Sequence, residues 1–365
     1  MKILVVCKRQ YTGRDLLDDQ YGRLFEIPEA LVQSGHDIKG LTVSYRKRNE
    51  GAFTPKEVEW QSLNALPFIG HRKIITAIRS AIAQFGPDII WASSDASIII
   101  CSAIACRQED KPFVVDFYDN YESFMLTKLP FVEKMLYSAC RKSRGITVVS
   151  QMLSEHLRGR RIWNKIPISV IGNGISSSIF YAREKDACRR ALGLPEDALL
   201  IGTAGALDAS RGISVLFDAF EIISKEHENV YLVVAGPRDG TILSYKNSRI
   251  IDLGNRSPND IPIVLGALDL AVICNLDSDF GRFCYPQKLE EILACRIPFL
   301  AANVGELANI LPQSQQFQVH SSPDLAQKIQ QSISEEQTHV LPAARTWSQR
   351  AEALSIFLDT ARSYN

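Results

Sequence analysis

Leu200-Ile201-Gly202-Thr203-Ala204-Gly205-Ala206-Leu207-Asp208-Ala209-Ser210-Arg211-Gly212 decides the fold. It reads as a buried strand, a glycine turn and the start of a helix. Ile213–Ile223 continues it, with Val215, Leu216, Phe220 and Ile223 at helical spacing. The same alternation runs outward in both directions. Ile3–Cys7, Ile38–Val43, Ile89–Ala92, Phe113–Tyr118, Ile146–Val149 and Ile168–Ile171 form one series of strands. Leu199–Thr203, Val230–Ala235, Ile250–Leu253, Leu270–Cys274, Pro298–Ala301 and Phe317–Val319 form a second. Apolar strands alternating with amphipathic segments predict parallel sheets covered on both faces. The fold class is α/β, with two doubly wound, Rossmann-like domains facing a cleft. The turn-rich Gly172-Asn173-Gly174-Ile175-Ser176-Ser177-Ser178 lies between the two series and predicts the hinge. Domains of 1–171 and 172–345 follow, with a last helix over 346–365 packing back on the first domain.

The 365 residues suit about two domains of roughly 100–200 residues. Forty-one basic and 41 acidic residues balance, which argues against a nucleic-acid partner. The apolar run after Met1 reads as a strand and not a signal-peptide core. No window approaches the roughly 20 apolar residues of a membrane span. Eight scattered cysteines without a Cys-x-x-Cys pair read as reduced core thiols of a cytoplasmic protein. Six histidines without ligand spacing predict no metal site. Asp277-Ser278-Asp279 reads as solvated loop carboxylates.

Ligands of open α/β sheets bind beyond the carboxyl ends of the strands. The dinucleotide fingerprint Gly-x-Gly-x-x-Gly is absent after the first strand, which disfavours a nicotinamide enzyme. Gly13 in that loop could bring backbone amides near a ligand or serve as an ordinary loop glycine. Tyr118 and Asp119 follow the fourth strand, as polar contacts to a substrate or, for Asp119, as a helix cap. Gly205 turns the chain in the second half, and Arg211 sits where a guanidinium could grip a phosphate. In Tyr285-Pro286-Gln287-Lys288-Leu289-Glu290-Glu291, the proline marks a helix start. Lys288 in the first turn opposes the helix dipole unless an anion lies between them. Glu291, at i+3 from Lys288, shares its face and could accept two hydroxyls of a ribose. The pair describes a nucleotide-diphosphate clamp, or a surface salt bridge.

These residues resemble glycosyltransferase family 4, of the GT-B fold. Ile201–Gly212 resembles the family's strand–loop–helix with its basic residue. Val170–Ile175 resembles its interdomain Asn-Gly segment. Leu253-Gly254 with Asp260-Ile261-Pro262 is similar to the stretch whose main chain holds the base, which adds Asn255 to the donor candidates. Pro286-x-Lys288-Leu289-x-Glu291-x-x-Ala294-x-x-x-Pro298 resembles the family signature, and Gly35-His36-Asp37-Ile38 a structural turn. The chain departs from the pattern at Ala206, Phe283 and Arg296, where members often carry arginine, glutamate and glycine. Tyr118 stands where a catalytic histidine is common.

The resemblance implies a retaining transfer of sugar from a nucleotide-diphosphate sugar to a hydroxyl acceptor, a saccharide or lipid-linked saccharide. No cofactor or metal is expected. Arg211, Lys288, Glu291 and Asp119 are the catalytic candidates, and Gly13, Tyr118 and Asp119 border the acceptor and sugar. An epimerase or hydrolase of the same fold is one alternative. A non-catalytic nucleotide-sugar-binding subunit, suggested by Ala206 and Phe283, is another. The basic, aromatic Arg158–Lys165 stretch suggests peripheral contact with the inner face of a membrane, or a solvated loop.

Overall fold

The computed structural model describes residues 1–11, 13–125, 127–160, 165–334 and 341–363. The chain divides into two compact units, Met1–Gly174 together with Trp347–Asn365, and Ile175–Thr346.

The first unit holds an eight-stranded sheet and a small hairpin. In chain order the strands are β1 (Lys2–Lys8), the hairpin β2 (Gln10–Tyr11) and β3 (Arg14–Asp15), β4 (Asp37–Ser44), β5 (Gly51–Phe53), β6 (Glu59–Asn64), β7 (Ile89–Ser93), β8 (Phe113–Phe117), β9 (Gly145–Val148) and β10 (Ile168–Val170). Their order across the sheet is β10-β9-β8-β7-β1-β4-β6-β5. All pairs within the eight-stranded sheet are parallel except β5 with β6. The central strands are largely apolar and buried because helices cover both faces. Val5 sits between Gly40 and Trp91 in register. Gly40 is required there, since any side chain would run into the indole of buried Trp60.

The helix Trp347–Ser363 completes this unit. Ala351, Leu354 and Leu358 are fully buried and join the core with Leu24, Ile27 and Leu31 of the helix Arg23–Gln33. His36 lies between them, with Nδ1 3.3 Å from the Met1 amine and Nε2 2.8 Å from Ser355 Oγ. That satisfied histidine is the structural residue the sequence predicts.

The second unit holds β11 (Leu199–Ala204), β12 (Val230–Ala235), β13 (Ile250–Asp252), β14 (Leu270–Ile273), β15 (Phe299–Ala302) and β16 (Gln316–Phe317). They run in the order β13-β12-β11-β14-β15-β16, all parallel. Two core layers flank this sheet. One is packed by Leu289, Ile292 and Leu293, and the other by Leu216, Phe217 and Phe220. All eight cysteines are free thiols. Among the described residues, no helix is long and apolar enough to cross a membrane.

Candidate active site

The carboxyl edge of the second sheet is built from glycine loops. Gly205 leaves β11 at φ 118°, and Gly236 leaves β12 at φ 137°. A side chain on Gly236 would overlap the carbonyl oxygen of Gly205, so the two loops touch through backbone. The Gly205 N–H donates to Ala235 O at 2.9 Å, and the Gly236 N–H donates to Gly254 O at 2.9 Å. Three strand ends are thereby joined by main chain.

After Gly205 the chain does not enter its helix at once. Ala209–Arg211 form one 3-10 turn, with the Asp208 carboxylate accepting the Arg211 N–H at 3.2 Å. Gly212 then reverses the chain at φ 69°, and the helix Ser214–Glu226 follows. Arg211 therefore projects from a turn that precedes the helix. Its guanidinium lies 4.2 Å over the Phe280 ring, and among the described residues it has no hydrogen-bond or ion-pair partner. The side chain is half-buried.

Lys288 approaches the same glycine from the first turn of the helix Gln287–Cys295. A β-carbon on Gly205 would stand 3.2 Å from Lys288 Cε and 3.5 Å from Nζ. The lysine thus fills the space that the glycine leaves. Nζ donates to Thr203 Oγ1 at 2.9 Å, and among the described residues no carboxylate pairs with it. Burial holds this ammonium below the usual lysine range. The positive charge of Arg211 acts in the same direction, against the opposing charges of Glu291 and Asp208. Two half-buried cations thus share one field at a glycine loop.

The two glutamates of this helix divide by face. Glu290 is buried, and its carboxylate accepts from Tyr285 Oη at 2.5 Å and from the Arg345 N–H at 2.7 Å. It ties the helix to the end of the unit. Glu291 is half-buried on the side of Lys288, opposite the core residues Leu289, Ile292 and Leu293.

Asn255 is exposed after Gly254 (φ 74°), at the end of β13. Beside it stands a residue that the sequence reading passed over. Arg238 pairs with Asp252, donates to Gly236 O at 3.2 Å, and lies next to Gly254. Its sequence signal was Gly236-Pro237-Arg238 directly after a strand. Asp277 is held by Arg282 at 2.5 and 3.0 Å, while Ser278 caps the Gly281 N–H at 3.1 Å. Among the described residues no group of three or more His, Cys, Asp or Glu side chains could hold a metal ion.

The first unit gathers its own set. Gly13 (φ 79°) turns the β2–β3 hairpin, and no atom lies within 4 Å of where its β-carbon would be. Buried Arg9 anchors that hairpin, reaching Asp15 at 2.8 Å, Asp18 at 3.0 Å, Asn49 O at 3.0 Å and Ser62 Oγ at 3.2 Å. The Tyr118 ring lies 5.5 Å from Tyr11 and 5.4 Å from Tyr121. Burial, and then the charge of Asp119, push its phenol well above the usual tyrosine range, so it stays protonated. The Asp119 carboxylate accepts the Asn120 N–H at 2.7 Å. Tyr121 Oη accepts from the Ser94 and Tyr118 N–H groups at 3.0 and 3.2 Å, which fixes the strand ends under Tyr118. Below them, fully buried Asp116 binds Arg23 at 2.8 Å, Thr147 at 2.7 Å and Ser93 at 2.8 Å. So Gly205, Arg211, Lys288 and Glu291 come together in one unit. Gly13 and Tyr118 belong to the other, where Tyr11 of the Gly13 hairpin packs on Tyr118.

Two family models match the chain, glycosyltransferase family 4 over residues 23–178 and glycosyl transferases group 1 over 184–353. A similar protein is TuaC of Bacillus subtilis (strain 168), whose name assigns it provisionally to teichuronic acid biosynthesis as a glycosyltransferase. It is 24% identical over 344 residues, covering 92% of this chain and 80% of that one. Among solved structures, sucrose-phosphate synthase from Thermosynechococcus elongatus superposes with a TM-score of 0.72 at 16% identity, over 99% of this chain and 96% of that one. HepE of Anabaena in complex with UDP gives 0.70 at 18% identity, over 99% and 97%.

Proposed function

Because the chain belongs to the family 4 type of glycosyltransferases, with the GT-B fold, we propose that it transfers a sugar, with retention, from a nucleotide-diphosphate sugar to a hydroxyl on a saccharide or lipid-linked saccharide. The observation that carries the donor reading is the pair of half-buried cations, Lys288 against Gly205 and Arg211 over Phe280, whose charges act on one another and which have no ion-pair partner among the described residues. A diphosphate supplies the missing charge. The complexes of HepE with UDP and with UDP-glucose support a donor of this class.

Breaking the anomeric C–O bond leaves negative charge on the departing phosphate. Fixed cations stabilise that charge more in the transition state than in the ground state. Arg211 brings paired donors held flat by Phe280, and Lys288 brings a point charge that is already partly desolvated. In this reading the two side chains do the work that a metal does elsewhere. Glu291 accepts the ribose hydroxyls, Asn255 borders the base, and Asp119 with protonated Tyr118 borders the reacting sugar. Gly13 leaves open space at its turn for an acceptor.

A thermal-shift panel of nucleoside diphosphates and their sugars tests this, since a ligand of the native state raises its stability. One nucleotide class raises the Tm of the wild type, and Lys288→Ala and Glu291→Ala each abolish that shift while the free proteins stay folded. Unchanged shifts in both variants refute the assignment. Release of free sugar or of an epimer without any acceptor would replace transfer by hydrolysis or epimerisation.

A further inference from the structure

A surface of the first unit, far in sequence from the donor residues, carries a pattern that glycosyl transfer does not use. The helix Val132–Arg141 buries Leu136, Tyr137 and Cys140 and leaves Met135 45% exposed. The segment leading into it exposes Met125 (85%), Leu129 (47%) and Phe131 (73%). Phe131 is also held at φ 66°, a conformation unfavourable for an aromatic residue, with its ring outward. Ile104 of the neighbouring helix Ala96–Gln108 is exposed as well, and a cavity of about 360 Å³ lies between the two helices, lined by Ile100, Ala103, Ile104 and Met135.

The charges named around these side chains that lack an ion-pair partner are basic. Lys128, Lys134 and Arg141 are exposed, and Arg107 and Lys142 join the lining of the cavity. None of the five forms an ion pair among the described residues. Nearby acids are engaged elsewhere, with Glu133 on Tyr137 and Arg160, and Glu109 on Arg79. Three lysines in the patch disfavour a protein partner, because lysine is depleted at protein interfaces. Large apolar side chains projecting singly among unpaired cations match a surface that offers hydrocarbon and negative headgroups together.

We propose that this face, Met125 and residues 127–135 with the rim of the neighbouring helix, docks on an anionic lipid bilayer. Phe131, Met125 and Leu129 enter the acyl boundary while Lys128, Lys134, Arg107 and Lys142 meet the headgroups. The Arg158–Lys165 stretch is less available for this role. Arg158 is bonded to Ile168 O and Ser154, Arg160 is bonded to Glu122, and Arg161–Asn164 lie outside the described residues. The docking does not depend on the donor site, so either reading can fail alone.

The test is co-sedimentation of the full chain with vesicles of phosphatidylglycerol and phosphatidylcholine, against pure phosphatidylcholine. The protein pellets with the anionic vesicles only, and less as salt rises. Lys128→Ser with Lys134→Ser lowers partitioning about 25-fold, from roughly fivefold per cation. Phe131→Asn, which tolerates the left-handed backbone, lowers it at least about tenfold. Both variants keep the wild-type Tm and nucleotide response. Equal sedimentation with both vesicle types overturns the proposal, and so do variants that pellet like the wild type. Capture of an acidic protein through these residues without vesicle binding reassigns the face to a protein partner.

Discussion

Lys288 decides the chemistry of the second unit, and its sequence position announced it. A lysine in a first helical turn opposes the dipole, and the structure adds a second conflict by burying it beside Arg211. A lysine whose folded pKa is lowered costs stability. Between that folded value and about 10.4 the unfolded chain holds a proton that the folded chain has lost, so stability rises with pH in this window. Lys288→Met removes the cost. The free protein then gains about 1 kcal/mol, seen as roughly 2 °C in Tm, while nucleotide-diphosphate binding disappears. A drop in Tm of that size would make the lysine structural. Arg238 and Tyr121 were not legible in the same way. Arg238 matters because the ends of β12 and β13 converge on it, and Tyr121 because its hydroxyl collects N–H groups from two strands. Such convergence is tertiary and leaves no local period in the sequence.

At the scale of elements, what could be read was what is buried on both sides. The continuous apolar runs of β1, β7 and β8 were legible because no face of these strands meets water. β5 and β6 were missed. β6 alternates exposed Glu59 and Gln61 with buried Trp60 and Ser62, and the buried Ser62 hydroxyl accepts from Arg9. The helix Gln287–Cys295 begins after Pro286 as the sequence predicts, yet its end differs from the family pattern. Arg296 occupies the C-cap at φ 57°, the conformation that glycine adopts without steric cost. Arg296→Gly relieves that strain and loses some through a freer unfolded chain. Thermal unfolding should show a net gain of up to about 1 kcal/mol, with the nucleotide response kept. A loss above that size would show that the arginine side chain, and not the backbone, holds the helix end.

Over the whole molecule, the division into two α/β units was legible because the strand series breaks once, at a glycine- and asparagine-rich segment. The C-terminal helix was legible as a late amphipathic stretch after the second sheet was complete, and it packs with the helix Arg23–Gln33 in the core of the first unit. The sugar and acceptor were not legible, because specificity for them lies in loops whose residues have no required spacing. In the function proposed, Arg211 and Lys288 together hold the diphosphate of the donor. Calorimetric titration of the full chain with the nucleoside diphosphate that stabilises it tests this directly, in the wild type and in Arg211→Ala. Loss of a charge-assisted pair of hydrogen bonds predicts affinity weaker by about 10- to 100-fold in the variant. Equal affinity in the two proteins would contradict the account.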